Sequence, residues 1–328
     1  MDEKTRAAVN WLLGSNEPAV RILTRRDLLR DDADETDDIL AGPIVRTLLS
    51  GQREDGGFGV HPYRKWRGAH WRLVALVELG IPAGEPRSVR AAGTVLDWLS
   101  SKEHRASIIP VDGLARVHAS QEGNALAVCS RFGLARDPRV EMLVESLIRW
   151  QWPDGGWNCD PRATGRRASF HESLAPAWGL FEYWRATRES AAREAAFRAA
   201  ELFLEHRLFR SPRTGRVIRQ KWLTLHYPPY WHYDILQALL VLSRMGLTDD
   251  PRCSDALELL ERRRRPDGRW QPGAYWWKPP GTTRGHVEVV DWGRSGPNEM
   301  ITLNALRILL REAEHDDVRL PSKAGYAD

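Results

Sequence analysis

The stretch Leu147-Ile148-Arg149-Trp150-Gln151-Trp152-Pro153-Asp154-Gly155-Gly156-Trp157-Asn158-Cys159-Asp160 decides how the rest of the chain is read. It reads as the end of a helix, a tight Pro-Asp-Gly-Gly reversal, then an aromatic side chain. Ser169-Phe170-His171-Glu172 follows and opens an apolar stretch with helical spacing. The layout recurs. Gln52 with Asp55-Gly56-Gly57-Phe58 precedes the helix after His70, and Pro266-Asp267-Gly268-Arg269-Trp270 precedes the helix after Glu299. One supersecondary unit returning at a period of about 50 residues is the signature of a repeat architecture.

Working outward, the apolar periodicity alternates between two kinds of helix. Polar, one-sided outer helices are predicted over 44–50, 89–99, 140–150, 192–206 and 254–264. More apolar inner helices are predicted over 70–79, 121–132, 171–187, 233–245 and 298–313. Glycines at 80, 133 and 246 close three of the inner helices, as a left-handed cap requires. In the second unit Pro110-Val111-Asp112-Gly113 stands where the Asp-Gly-Gly turn should be. Buried inner helices ringed by polar outer ones predict an all-α fold, a single α/α toroid of about five to six helical hairpins. An open α-solenoid is the competing arrangement, and the long links between helices fit it poorly. The expected organisation is an N-terminal helical extension over 1–40, the toroid over 41–315 and a polar tail over 316–328. The acidic run 31–38 lacks a calcium-loop pattern and reads as a solvated connection.

Composition bounds the rest. Lys and Arg number 48 against 44 Asp and Glu, a net charge of +4. The basic residues are dispersed without one dominant stripe, which argues against nucleic acid as a partner. The run Glu261-Arg262-Arg263-Arg264-Arg265 is the densest patch; it reads as a solvated helix end, with transient membrane-surface contact as the alternative. Three unspaced cysteines argue against a disulfide framework and for a reducing, cytoplasmic location. No stretch is apolar enough for a membrane span. Fifteen tryptophans suit either an aromatic-lined cavity or packing between helices.

The pattern carried by Gln52 with Asp55-Gly56-Gly57-Phe58 and by Gln151 with Asp154-Gly155-Gly156-Trp157 resembles the QW repeats of the terpenoid cyclase and protein prenyltransferase superfamily. A weaker version lies at 263–270, and the similarity spans roughly residues 40–315. The resemblance implies one toroid around a central cavity, an isoprenoid or similarly apolar substrate, and a transferase, cyclase or isomerase activity. It has limits. The Asp-x-Asp-Asp acid motif of squalene cyclases has no counterpart in a plausible place. Prenyltransferase β-subunits hold zinc with an Asp, a Cys and a His, and act with a partner subunit. The turn aspartates Asp55, Asp154 and Asp267 read as structural caps rather than catalysts.

Candidate chemistry gathers at the inner-helix starts: His70, Glu122, His171-Glu172, His232-Tyr233-Asp234 and Glu299. Acids at helix N-termini are also favoured by the dipole alone. Cys159 and His171 form the sharpest pair, since thiolate, imidazole and carboxylate make a catalytic zinc shell with one open position. Asp160, Asp234 and His232 are the candidate third ligands. Zinc is the only cofactor expected, to activate a nucleophile against an isoprenoid diphosphate, with Lys65, Arg67, Arg284 and Arg294 to neutralise the leaving group. A metal-free route would use Asp234 or Glu172 as general acid, with Trp157, Trp178, Tyr230, Trp231 and Trp292 facing a carbocation. The loops over 221–232 and 270–292 are aromatic-rich and read as a lid or a clasp. A non-catalytic binding protein that keeps the cavity for an apolar ligand or partner peptide is the alternative of a different class.

Overall fold

The computed structural model describes residues 1–31 and 36–310 and is mostly helical. The helices are α1 Glu3–Leu13, α2 Pro18–Thr24, α3 Thr36–Ala41, α4 Pro43–Leu49, α5 Ala69–Glu78, α6 Pro86–Ser100, α7 Lys102–Ala106, α8 Ala119–Arg131, α9 Pro138–Trp150, α10 Phe170–Thr187, α11 Ser190–Glu205, α12 Ile235–Arg244, α13 Ser254–Arg262 and α14 Glu299–Leu309. A π-helical turn, Arg25–Leu29, continues α2. The polar tail and part of the acidic run, 32–35, lie outside the described residues, as does the predicted end of the last inner helix. Local chemistry explains the starts. Proline opens α2, α4, α6 and α9, where its missing N–H is not needed. Glu85, Asp234 and Asn298 each accept a bond from the backbone N–H three residues on.

The expected division into inner and outer helices is visible in burial. All ten residues of α5 are buried, whereas α6 and α9 bury one face. α5 packs on α8, α8 on α10, α10 on α12, α12 on α14, and α14 on α2. Gly80, just past α5, lies against Leu23 of α2.

The repeat turns make one joint three times. In each, the first turn glycine has positive φ and sits against the backbone of another helix. Gly56 abuts Arg90 O of α6, Gly155 abuts Arg198 O of α11, and Gly268 abuts Lys4 O of α1. Gln52 Nε2 donates to Gly56 O and to Arg87 O; Gln151 Nε2 donates to Gly155 O and to Ala195 O. Arg264 replaces the glutamine in the third turn, reaching Gly268 O and Thr5 Oγ1. The turn aromatics plug the gap behind: Trp157 Nε1 donates to Leu147 O and Trp270 Nε1 to Leu260 O, each ten residues back.

The second unit departs from expectation. Instead of a degenerate turn, Ile109–Val111 (β1) and Leu114–Arg116 (β2) form an antiparallel hairpin around Asp112-Gly113. Both turn residues have positive φ, the requirement of a two-residue hairpin loop.

At their C-terminal ends the inner helices carry charges that face one another. Arg244 of α12 binds Glu78 of α5 at 2.8 and 2.9 Å; Arg131 of α8 lies 3.3 Å from Glu182 of α10; Arg307 of α14 donates to Asp27, after α2, at 2.7 Å. Burial works against the Glu78 carboxylate, but Arg244, Arg131 and Arg307 together hold its pKa below the ordinary value. Three acids and three arginines thus pair across this end of the helix cluster, with Arg26 and Arg185 also against Asp27 and Glu182.

Candidate metal centre

Two close approaches assemble the site. α8 and α10 cross backbone to backbone, because a Cβ at Gly123 would meet Pro176 N and one at Gly179 would meet Gly123 O. That crossing sets the starts of α8 and α10 side by side. In the second, Arg116 at the end of β2 bridges Asn158, and Val117 N donates to Asn158 O at 3.0 Å. The next pair along this bridge is Val117 beside Cys159, and His118, one residue further on, reaches the same segment. The Asn158 segment is also tied to α10: Ser169 N donates to Trp157 O, and Trp157 N donates to Ser173 Oγ.

The result is a cluster of His118, Cys159 and Glu172, whose ligand atoms all lie within 4.8 Å of one another. Glu172 Oε1 is 3.3 Å from His118 Nδ1 and accepts from Cys159 Sγ at 3.5 Å. Its other oxygen accepts from Ser120 N at 3.0 Å. Burial raises the cost of charge on Glu172, yet the contacts from His118 and Ser120 bring its pKa below the usual value. Cys159 first, then Glu172, drives the His118 pKa up to about 10. His118 is largely exposed and Glu172 is buried, so the cluster opens outward from α10.

Soft thiol, imidazole and carboxylate are the donor types of a catalytic zinc site. The two spacings from Glu172 Oε1 fit as well. Ordinary zinc bond lengths in a tetrahedron separate sulfur from a carboxylate oxygen by about 3.5 Å, and imidazole nitrogen from it by about 3.3 Å. A thiol nucleophile relayed through imidazole needs the carboxylate on the far side of the ring. Here the carboxylate oxygen touches the thiol itself.

The ligand set expected from the sequence is corrected by this geometry. Cys159 and Glu172 are at the cluster, but His171, Asp160 and Asp234 are not. His171 points away from Glu172, as neighbours on a helix must, and its Nδ1 accepts from Tyr233 N at 2.9 Å. Asp160 is clamped by Arg162, first through the side chain and then the backbone, which lowers its pKa to about 2. Asp234 is a fully buried N-cap, bonded to His226 Nδ1 at 2.5 Å and to Gln237 N. The remaining catalytic candidates scatter. His70 is buried with both ring nitrogens unpartnered, and desolvation drives its pKa down to about 3. Glu122 pairs with His104 Nε2 at 2.7 Å. Glu299 is half-buried beside Ser15, and burial raises its pKa. His232 is stacked between Trp231 and Trp276, each ring 4.0 Å away. Of the aromatics assigned to a carbocation, Trp178, Tyr230 and Trp231 line a cavity between α8, α10 and α12; Trp157 is a buried plug instead. Trp292 packs edge-on against Tyr227.

The loops expected as lid or clasp interlock. Trp277 Nε1 donates to Tyr227 O, Gly273 N to Leu225 O, and Trp66 Nε1 to Trp276 O. His118 escaped the sequence reading because α8 begins at Ala119, two residues before the predicted start. No family model matches the chain, and no curated protein matches it. Among the described residues, no helix is long and apolar enough to cross a membrane.

Proposed function

We propose that the chain is a single toroid of six hairpins and a zinc-dependent enzyme whose metal is held by His118, Cys159 and Glu172. The spacing of one carboxylate oxygen from both imidazole and thiol, matching the edges of a zinc tetrahedron, carries the metal assignment. The toroid reading is supported by the turn joint: the last repeat docks on α1 as the others dock on α6 and α11, so α1 and α2 act as a sixth hairpin. Resemblance to the QW-repeat superfamily supports transfer or cyclisation of an isoprenoid-like substrate as the reaction class.

Bound zinc would supply a Lewis acid and lower the pKa of a nucleophile in its open position. The chain's residues prepare that position. Ser120 N–H fixes Glu172 so that Oε1 faces the centre, as outer-shell donors do for metal carboxylates. The bridge at Asn158 sets the reach of Cys159. Lys65 Nζ lies 4.8 Å from the Trp231 ring and within electrostatic range of Glu172.

The test is metal content. Purified protein should carry one zinc per chain, and Cys159→Ala or His118→Ala should lose it while keeping the helical spectrum. His171→Ala should retain zinc. Wild-type protein free of zinc after reconstitution, or loss of zinc in His171→Ala alone, would refute the assignment.

A further inference from the structure

The cavity between α8, α10 and α12 has a chemistry of its own. Its free volume for water-sized molecules is about 40 Å³, room for about three waters. Its floor is the Arg244–Glu78 pair and its roof is Trp231 with His232. Trp178 and Tyr230 offer ring faces, and Leu240 and Val241 complete an apolar wall.

Donors predominate among the polar atoms on this wall. Asn124 is 2% exposed and its Nδ2 has no partner. Trp231 Nε1, which can only donate, has none either. His171 adds a third: because Nδ1 accepts from Tyr233 N, the neutral ring carries its proton on Nε2. His232 Nδ1, also without a partner, takes either role according to its tautomer. The acceptor on the floor is taken, since both Glu78 oxygens bind Arg244. The pair also leaves no uncompensated charge there. Desolvation, then the neighbouring His226 and His171, keeps His232 neutral, with its pKa down to about 2.

Buried donors without partners are costly and uncommon, and several around one cavity mark a site for an acceptor. We infer that this cavity binds a compact, uncharged molecule carrying a carbonyl-type oxygen over an aromatic wall, rather than an extended polyprenyl chain. A long chain would have to break the charged floor or the Trp231–His232–Trp276 stack, and would leave Asn124 and Trp231 unsatisfied. Among the residues that line the cavity, an anion would meet only neutral donors and a cation already paired. The inference rests on reading the cavity as a substrate pocket and deepens the proposed function by naming what enters it. The metal assignment stands or falls separately.

Acetone and isobutene differ only by an oxygen in place of a CH2 group, are small enough for this cavity, and serve as probes. Each is titrated into the full-length, zinc-loaded protein, followed by tryptophan fluorescence and ligand-observed NMR. The ketone should bind about tenfold more tightly, the ratio one buried hydrogen bond supplies. Asn124→Leu and Trp231→Phe should each erase most of that preference without changing the helical spectrum. His118→Ala should retain it, which separates the cavity from the metal centre. Equal binding of the two probes, no saturable binding of either, or farnesol binding that excludes the ketone would overturn the inference. So would loss of ketone preference in His118→Ala, because the oxygen would then belong to the metal.

Discussion

His70 and His118 stand at corresponding starts of neighbouring inner helices and meet opposite environments. His70 has no partner and a pKa near 3, whereas Cys159 and Glu172 raise His118 to about 10. The contrast gives a pH prediction with a definite sign. The folded His70 stays neutral down to about pH 3, while the unfolded chain protonates near the ordinary 6.5. Between those values the unfolded state binds more protons, so folding stability falls as pH drops below 6.5. The loss is about 1.4 kcal/mol per pH unit from this residue. Chemical denaturation at pH 6.5 and 5.0 should show His70→Phe losing less stability than wild type across that step. Equal losses would mean that His70 takes up a proton in the folded state. The repeat turns add a second prediction. A Cβ at Gly268 would sit 2.1 Å from Lys4 O, on a backbone at φ +80° that side chains rarely adopt. Gly268→Ala should cost about 2–4 kcal/mol in thermal or denaturant unfolding. Gly84, also at positive φ but with open space around it, is the control and should cost about 1 kcal/mol when changed to alanine. Equal costs would mean that the contact with α1 is not made.

At the scale of elements, the sequence was most informative where periodicity and turn chemistry agreed. The helix pairs around Asp55-Gly56-Gly57 and Asp154-Gly155-Gly156 lie where their apolar spacing places them. The hairpin of β1 and β2 is signalled only by Asp112-Gly113, a pair that also reads as a degenerate Asp-Gly-Gly turn. The site was half legible. Cys159 is singled out as a ligand type that follows a turn, and Glu172 as an acid at a helix start, read there as a general acid. Their third partner is not, because adjacency across β2 and the Asn158 segment is a pairing of distant strands that no local spacing encodes. His171 looked equivalent to Glu172 in sequence, yet one step along a helix turns a side chain through about 100°. That rotation sends His171 to the cavity and Glu172 to the cluster. The crossing of α8 and α10 depends on glycines whose role appears only when two helices meet. Gly179→Ala should separate the two starts and lower zinc occupancy as well as melting temperature. Full occupancy in that variant would show that the crossing does not set the ligand spacing.

For the whole molecule, the charged end of the inner-helix cluster ties distant parts of the chain together: Glu78 to Arg244, Asp27 to Arg307, Glu182 to Arg131. Removing one partner of a buried pair leaves the other charge stranded, whereas replacing both can be nearly neutral. Arg244→Met should therefore destabilise by about 3–5 kcal/mol, and Glu78→Leu added to it should recover most of the loss. Additive losses in the double variant would mean that the pair is not buried as described. Close backbone contact at Gly123 and Gly179 sets α8 against α10, and this helps to gather His118, Cys159 and Glu172 from far-apart positions. The most direct test of that gathering is X-ray absorption at the zinc edge of the purified protein. The account predicts one sulfur at about 2.3 Å and nitrogen or oxygen ligands at about 2.0–2.2 Å, with the sulfur missing in Cys159→Ser. A zinc shell without sulfur, or with more than one, would contradict it.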